Sequence, residues 1–483
     1  MVVDSSHNSD LQDIPAFLNR HPVMRPASQP DSCSPSHTTT VPLNNPSVLE
    51  SVDQTGVLRA TDASTVSPGP ALGPNPNQGA AAKSSRPWLE PLRIAPQQRR
   101  WAWTEIDREA ISQNLKSLRK VIGPDTLVLA VVKADGYGHG AVEVARVAVR
   151  SGARYLGVAS VSEGVELRRA GIEVPILILA EPPLEAVSTV LQFDLTPTVY
   201  TREFALALGE AADAQGLAAP FHLKIDSGMN RIGVHFSDAG DFLRSLSFHR
   251  ALRLEGCFTH FATADGTDTF SLKTQQERFE QALHTIRYMG IDPGIVHAAN
   301  SAAAIRYKQL RYDMVRLGIS IYGLHPSSLT KSLINLRPAM SVRARVNAIK
   351  PVPLGEGVGY GFHYRSPGSV LIATIPIGYG DGLSRALSEK IDILVNGYAY
   401  PQVGTICMDM CMFEVSQRQD ISSLRRAQIS ANRPNVEFGS EAVIVGKSGD
   451  LEVGLDDLAQ KIGTISYDLA CMFGLRLERV YRD

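Results

Sequence analysis

The chain has 483 residues, 44% of them hydrophobic, and a formal net charge of −1. That length holds two ordinary domains with some disorder, and the balanced charge argues against nucleic acid or an acidic membrane surface as a partner. The five cysteines, Cys33, Cys257, Cys407, Cys411 and Cys471, are scattered and odd in number, which argues against a disulfide framework and for a reducing cytoplasm. Cys407 and Cys411 lack a second Cys or His pair nearby to complete a zinc site, and no apolar run is long enough to cross a bilayer.

Residues 1–100 are dominated by Ser, Thr, Pro, Asn, Gly and Gln. Such a stretch cannot bury enough apolar surface to offset its chain entropy, so it is expected to be disordered. It lacks the apolar core of a signal peptide, and Asp4, Asp10 and Asp13 speak against a transit peptide. The apolar island at residues 11–20 reads either as a short partner-docking segment or as a chance cluster. It is similar to the C-terminal docking peptide of the bacterial tubulin-like division protein.

Regular structure is expected from about Trp101. Residues 103–107 alternate like a strand, and 108–121 carry a helical pattern. Short apolar runs then recur at 127–132, 155–159, 176–179, 196–199, 221–225, 254–260, 295–298 and 313–316. Between most of them lie amphipathic stretches long enough for a helix, such as 141–149, 162–170, 202–215 and 274–289. Eight strands alternating with helices predict a (β/α)8 barrel over 101–335. An open doubly wound sheet is the runner-up, but no G-x-G-x-x-G follows the first of these strands.

The first of the eight runs leads into Val132-Lys133-Ala134-Asp135-Gly136-Tyr137-Gly138-His139-Gly140. Lys133 therefore falls at the carboxyl end of a strand, where α/β barrels place their chemistry. Held among apolar residues, its amine is expected to lose hydration and have its pKa lowered, which favours a Schiff base with an aldehyde. The bland alternative is a strand-end lysine reaching solvent. Four later strand ends present Lys224 and Arg231, His260, His297 with Ser301, and Arg316. Singly each has a structural reading, His260 as a core histidine or Arg231 as a surface ion pair. Jointly they predict a cationic pocket with room for a phosphate, Ser301 and the backbone of Gly318 and Ile319 being its natural ligands.

From 336 to 483 the pattern switches to period two, as in Val342, Ala344, Val346 and Ala348. Further strands are expected at 370–377, 391–395 and 442–445, with Asn396-Gly397 as a hairpin turn. This is a separate, mostly β domain, interrupted by a polar stretch at 416–438 expected to be a loop insertion. Gly359-Tyr360-Gly361, Gly378-Tyr379-Gly380-Asp381 and Cys407-Met408-Asp409 stand out, because glycine-flanked tyrosines expose a phenol.

From Trp101 onward the chain resembles the bacterial alanine racemases, pyridoxal-phosphate enzymes of fold type III. The string at 132–140 is highly specific to that family, and the later motifs follow in its order. The resemblance implies a barrel plus β domain, pyridoxal 5′-phosphate as cofactor, and interconversion of L- and D-alanine for peptidoglycan. It also implies a cytoplasmic homodimer whose subunits share their active sites. Lys133 would hold the cofactor covalently. Tyr137, Ser301, Gly318, Ile319 and Tyr467 would bind its phosphate, Arg316 would face the pyridine nitrogen, and His260 would lie against the ring. Arg231 would contact cofactor and substrate carboxylate, oriented by Lys224, which matches a lysine often carbamylated in the family. Tyr360 of the other subunit would be the second acid/base, its phenol made more acidic by cationic His260 and Arg316. Tyr379, Met408 and Asp409 would border the substrate.

The chemistry is consistent with these assignments, because racemisation needs a base on each face of the α-carbon. A tyrosine with a pKa near ~10 needs cationic neighbours to serve. An arginine stays protonated, so it keeps the pyridine nitrogen neutral. The alternatives are a racemase of broader specificity, a non-catalytic cofactor-binding barrel and a related decarboxylase. Tyr360 argues against the second, and Arg316 against the third.

Overall fold

The computed structural model describes residues 100–415, 436–474 and 476–483. The expected disordered tail, its 11–20 island and most of the 416–438 insertion lie outside the described residues.

All eight expected barrel strands form. They are β2 (Leu127–Val131), β3 (Tyr155–Val158), β4 (Ile176–Ile178), β5 (Thr196–Val199), β6 (Ala219–Asp226), β8 (Leu252–Phe258), β9 (Ile295–His297) and β10 (Met314–Leu317). The two-residue β7 (Val234–His235) only pairs in parallel with the end of β6. Neighbours run parallel in chain order, and β10 returns to pair with β2. Between β9 and β10 the ring is completed by Asp313 N–H donating to Val296 O (3.0 Å) and Arg316 N–H donating to Ala299 O (2.9 Å). The strands are short and almost wholly buried because helices cover the outside and side chains fill the inside.

Local sequence sets the helix starts. Asp107, Ser160, Thr201, Asp268 and Asn300 each place a side-chain oxygen on a free backbone N–H of the following first turn. Each such cap contributes about 0.5–2 kcal/mol. The helix Arg202–Gln215 stops at Gly216, whose φ of 64° is left-handed.

The second sheet is mostly antiparallel. Its path runs β12 (Ala348–Val352), β15 (Val370–Ile375), β18 (Cys411–Glu414), β17 (Tyr398–Val403), β16 (Asp392–Val395), β19 (Glu441–Ser448), β11 (Met340–Arg345), β1 (Ala102–Asp107) and β21 (Glu478–Arg482). β20 (Leu451–Val453) pairs with β19, and β13 (Gly357–Val358) with β14 (Tyr364–Arg365). Asn396 and Gly397, both at positive φ, form the expected two-residue turn between β16 and β17. β1 precedes the barrel in sequence but pairs antiparallel with β11 and parallel with β21. Its buried Glu105 receives Arg343 Nε at 3.0 Å and Arg482 from β21, so the buried charge is paired.

Candidate active site

Lys133 follows β2 and is half-buried. This corrects the expectation of an enclosed lysine: the enclosed one is Lys224, 4% exposed. The reason is the turn after Lys133. Ala134, Asp135, Gly136 and Tyr137 all take left-handed φ values, 52°, 51°, 62° and 51°. For residues other than glycine such a conformation costs roughly 1–2 kcal/mol each. Inside the turn, Gly136 N–H donates to Val132 O (2.8 Å) and Gly138 N–H to Ala134 O (3.0 Å). Outside it, Glu163 accepts from Ala134 N–H at 2.8 Å and from Ala159 N–H at 2.7 Å.

Tyr137, at the end of this turn, lies against Tyr322 (centroids 5.0 Å apart) and Tyr467 (6.2 Å). Tyr467 belongs to the helix Ser466–Met472, so the β domain of the same chain reaches the barrel mouth. Gly318 N–H donates to Ser301 Oγ at 3.0 Å, and a Cβ on Gly318 would sit 2.7 Å from the Tyr137 hydroxyl. Only glycine leaves this space open. Ser301 begins one helix and Ile319 another short one. Backbone N–H groups at such starts have no acceptor within the helix and favour an anion. The donor set and the gap fit a phosphate, while Lys133 beside them fits an aldehyde.

Behind the cradle stands Arg316, 4% exposed. Its Nη1 is 3.0 Å from His297 Nδ1, and its Nη2 reaches Thr259 O (2.8 Å), Ala298 O (2.9 Å) and His260 Nδ1 (3.0 Å). Burial and Arg231 push its pKa down to about 9, still protonated near neutrality. A guanidinium only donates, so both histidines accept at Nδ1 and are neutral. Burial, then Arg316 and its neighbours, hold the His260 pKa well below the usual histidine value. His297 is displaced the same way by burial and by its neighbours His222 and Arg316. The expected cationic His260 is therefore corrected to a neutral ring, and it cannot acidify Tyr360 by charge. His297, quoted in the strand-end string but given no role, was findable from its place at the end of β9.

Lys224 Nζ lies 5.1 Å over the Phe258 ring and donates to Ile225 O at 3.2 Å. Burial, then Arg316, lowers its pKa to about 7, with Arg231 adding to the effect and Asp226 opposing it. Arg231 itself is exposed.

Tyr360, Tyr379, Met408 and Asp409 form a second group on the β domain. Tyr360 O accepts from Thr405 Oγ1 at 2.9 Å, Tyr379 N–H donates to Cys407 O at 3.0 Å, and Gly380 N–H to Met408 O at 2.9 Å. Buried Asp381 joins Arg100 and Arg476, and both arginines also bond Asp409, Arg100 at its carbonyl (2.7 Å) and Arg476 at its carboxylate (2.6 Å). Among the described residues, no hydrogen bond or ion pair joins this group to the Lys133–Arg316 group. Sequence reading gave no role to Asp135, Glu163, Asp381, Arg476 and Arg479, whose ion pairs and backbone bonds join segments far apart in the chain and carry no spacing signal.

A parallel barrel with a lysine and a set of anion donors at its mouth, followed by a β domain whose Tyr467 reaches Tyr137 there, defines a two-domain α/β enzyme. The family model described as "Alanine racemase, N-terminal domain" matches residues 106–326, and "Alanine racemase, C-terminal domain" matches 339–481. The alanine racemase of Desulfovibrio desulfuricans is 41% identical over 379 residues, spanning 78% of this chain and 97% of its own. The structure of the Clostridium difficile 630 alanine racemase is similar with a TM-score of 0.72 and 37% identity, over 80% of this chain and 96% of its own. A histidine racemase from Leuconostoc mesenteroides subsp. sake is similar with a TM-score of 0.71 and 28% identity, over 80% of this chain and 99% of its own. This chain belongs to the alanine racemase family.

Proposed function

We propose that this protein interconverts L- and D-alanine, as a cytoplasmic homodimer that uses pyridoxal 5′-phosphate bound at Lys133 and supplies D-alanine for peptidoglycan. The observation that carries the reading is Arg316, enclosed and donating to two neutral histidines, with the Ser301–Gly318–Tyr137 cradle beside it. When bound, the cofactor supplies an electron sink that acidifies the α-C–H bond of an attached amino acid. Tyr137, Ser301, Gly318, Ile319 and Tyr467 hold the phosphate. Arg316 keeps the pyridine nitrogen unprotonated, because a buried guanidinium bonded to four acceptors has no proton to give up near neutrality. His260 packs against the ring as a neutral imidazole.

Lys133 would hold the aldehyde carbon at rest and, once a substrate amine had taken its place there, its freed amine would move a proton on one face of the α-carbon. Tyr360 of the partner subunit moves a proton on the other. This division is supported by the separation of the two groups and by the 71% exposure of Tyr360. Arg231 orients the carboxylate. Lys224, with a pKa near 7, keeps enough neutral amine to add carbon dioxide and become the carbamate that orients Arg231. Tyr379, Met408 and Asp409 border the mouth. The domain division is proposed as barrel over 101–335 and β domain over 336–483, with β1 lent by the first to the sheet of the second. A cytoplasmic setting is supported by four unpaired cysteines among the described residues, none of whose helices is long and apolar enough to cross a membrane.

The test is turnover of a panel of L-amino acids by the purified protein, read as D-isomer formed, with borohydride fixation of the cofactor. Alanine is expected to turn over fastest, with the label on the peptide carrying Lys133. No D-isomer from any substrate, or a label on Lys224, sinks the reading. A broader racemase is the second reading, favoured by the matching histidine racemase fold, and a faster rate on a larger amino acid would select it.

A further inference from the structure

The left-handed turn after Lys133 is held partly from outside the barrel. Arg479 on β21 sends Nη2 to Asp135 Oδ2 at 2.5 Å and Nε to Gly138 O at 2.9 Å, and Nη2 also reaches Gly474 O at 2.6 Å. One guanidinium thus brackets both ends of the turn and ties them to the loop before β21. The other Asp135 oxygen accepts from Ala141 N–H at 2.8 Å, the start of the next barrel helix. Contact there is close: a Cβ on Gly138 would meet Ala470 O at 2.2 Å, and one on Gly140 would meet the Tyr481 hydroxyl at 1.9 Å.

We propose that Arg479 is a positioning residue, which acts through Asp135 and Gly138 to fix the turn and so the direction in which the Lys133 amine leaves β2. The proposal rests on Lys133 as the cofactor anchor. A planar fork suits the task, since three acceptors lie in different directions around one group, and a lysine ammonium would hold them less rigidly. Glu163 grips the same turn from the barrel side, so losing Arg479 loosens one edge of it without unfolding it.

The experiment is a double-variant cycle on the full chain, read by visible titration of the apoprotein with pyridoxal phosphate and by melting temperature. Asp135→Asn keeps a residue that tolerates φ of 51° and keeps an oxygen for Ala141, but removes the charge. Arg479→Met removes the fork, Arg479→Lys keeps only the charge, and Arg482→Met breaks the neighbouring ion pair of β21 with Glu105. Arg479→Met removes all three of these bonds, and the loosened turn is expected to weaken cofactor binding about tenfold, an effect on the order of one charge-assisted hydrogen bond. Arg479→Lys should restore it in part. Asp135→Asn combined with Arg479→Met should be no worse than Arg479→Met alone. Arg482→Met should lower the melting temperature while leaving cofactor affinity within about twofold. Equal effects of Arg482→Met and Arg479→Met on affinity, or additive effects of Asp135→Asn and Arg479→Met, would overturn the proposal. If Arg479→Met does not fold, Asp135→Asn and Arg479→Lys decide it, unchanged affinity in both overturning it. Borohydride labelling of the wild type separates the two layers, because a label absent from Lys133 removes the anchor assignment itself.

Discussion

The barrel-mouth group and the β-domain group are built on opposite plans. Around Arg316 and Ser301 nearly every side chain is enclosed and bonded within its own chain. Around Tyr360 the backbone is fixed and Asp381 and Asp409 are ion-paired, while three side chains face solvent: Tyr360 is 71% exposed, Met408 52% and Tyr379 42%. Preorganised donors lower the reorganisation needed when charge develops, so the first group needs no partner to take shape. The second presents exposed groups, and the two-fold dimer proposed above would give them a working environment by pairing each with the other copy's barrel mouth.

The largest test of that contrast is complementation between subunits. Lys133→Ala and Tyr360→Phe should each lose racemisation by at least about a hundredfold, the usual contribution of a positioned acid or base. Refolded together in equal amounts, they should regain roughly a quarter of wild-type activity through the one intact site of each mixed dimer. No recovery above the separate variants would place both residues in one chain's site and break the comparison. A smaller effect sharpens the preorganised side. Gly318→Ala should displace the Tyr137 hydroxyl and weaken pyridoxal phosphate about tenfold, measured by titration of the apoprotein, with the melting temperature little changed. An unchanged affinity would mean that the cradle is not the phosphate site.

The smallest effect is on stability and concerns Lys224. Its folded pKa is about 7 against 10.5 as a free side chain, so between those values the unfolded chain binds more protons and stability rises with pH. The slope from this group is at most about 1.4 kcal/mol per pH unit. Below pH 7 both states are charged and the penalty is constant. Lys224→Met should flatten the rise in melting temperature of the apoprotein between pH 7 and 10 in carbonate-free buffer. A variant whose profile parallels the wild type would show that Lys224 is not the enclosed cation described.

Much of the architecture was legible. Each barrel strand is a short apolar run between helix-length segments, and Asn396-Gly397 announces its own hairpin, because these signals are local. The placement of β1 was not legible, since its partners Met340–Arg345 and Glu478–Arg482 lie hundreds of residues away and alternation alone names no partner. Three glycines marked an open turn after Lys133, but nothing in the sequence said that Ala134, Asp135 and Tyr137 would be left-handed with it. The enclosed lysine was therefore misplaced. The charge of His260 was misread for a related reason: its proton is disfavoured first by burial and then by an arginine, both of which only folding supplies.

The pairing of β1 with β21 has a consequence for the order of events during synthesis. β1 leaves the ribosome before any of the barrel strands, yet one of its edges stays bare until residues 478–482 have been made. Bringing together segments so far apart is slow, because loop closure is settled before any contact rewards it. The barrel can assemble in the meantime from neighbours in chain order, but the strand that bears Arg479 arrives last. A nascent chain that had assembled its barrel before residue 479 was made would therefore lack the bonds from Arg479 to Asp135 and Gly138 in the turn after Lys133.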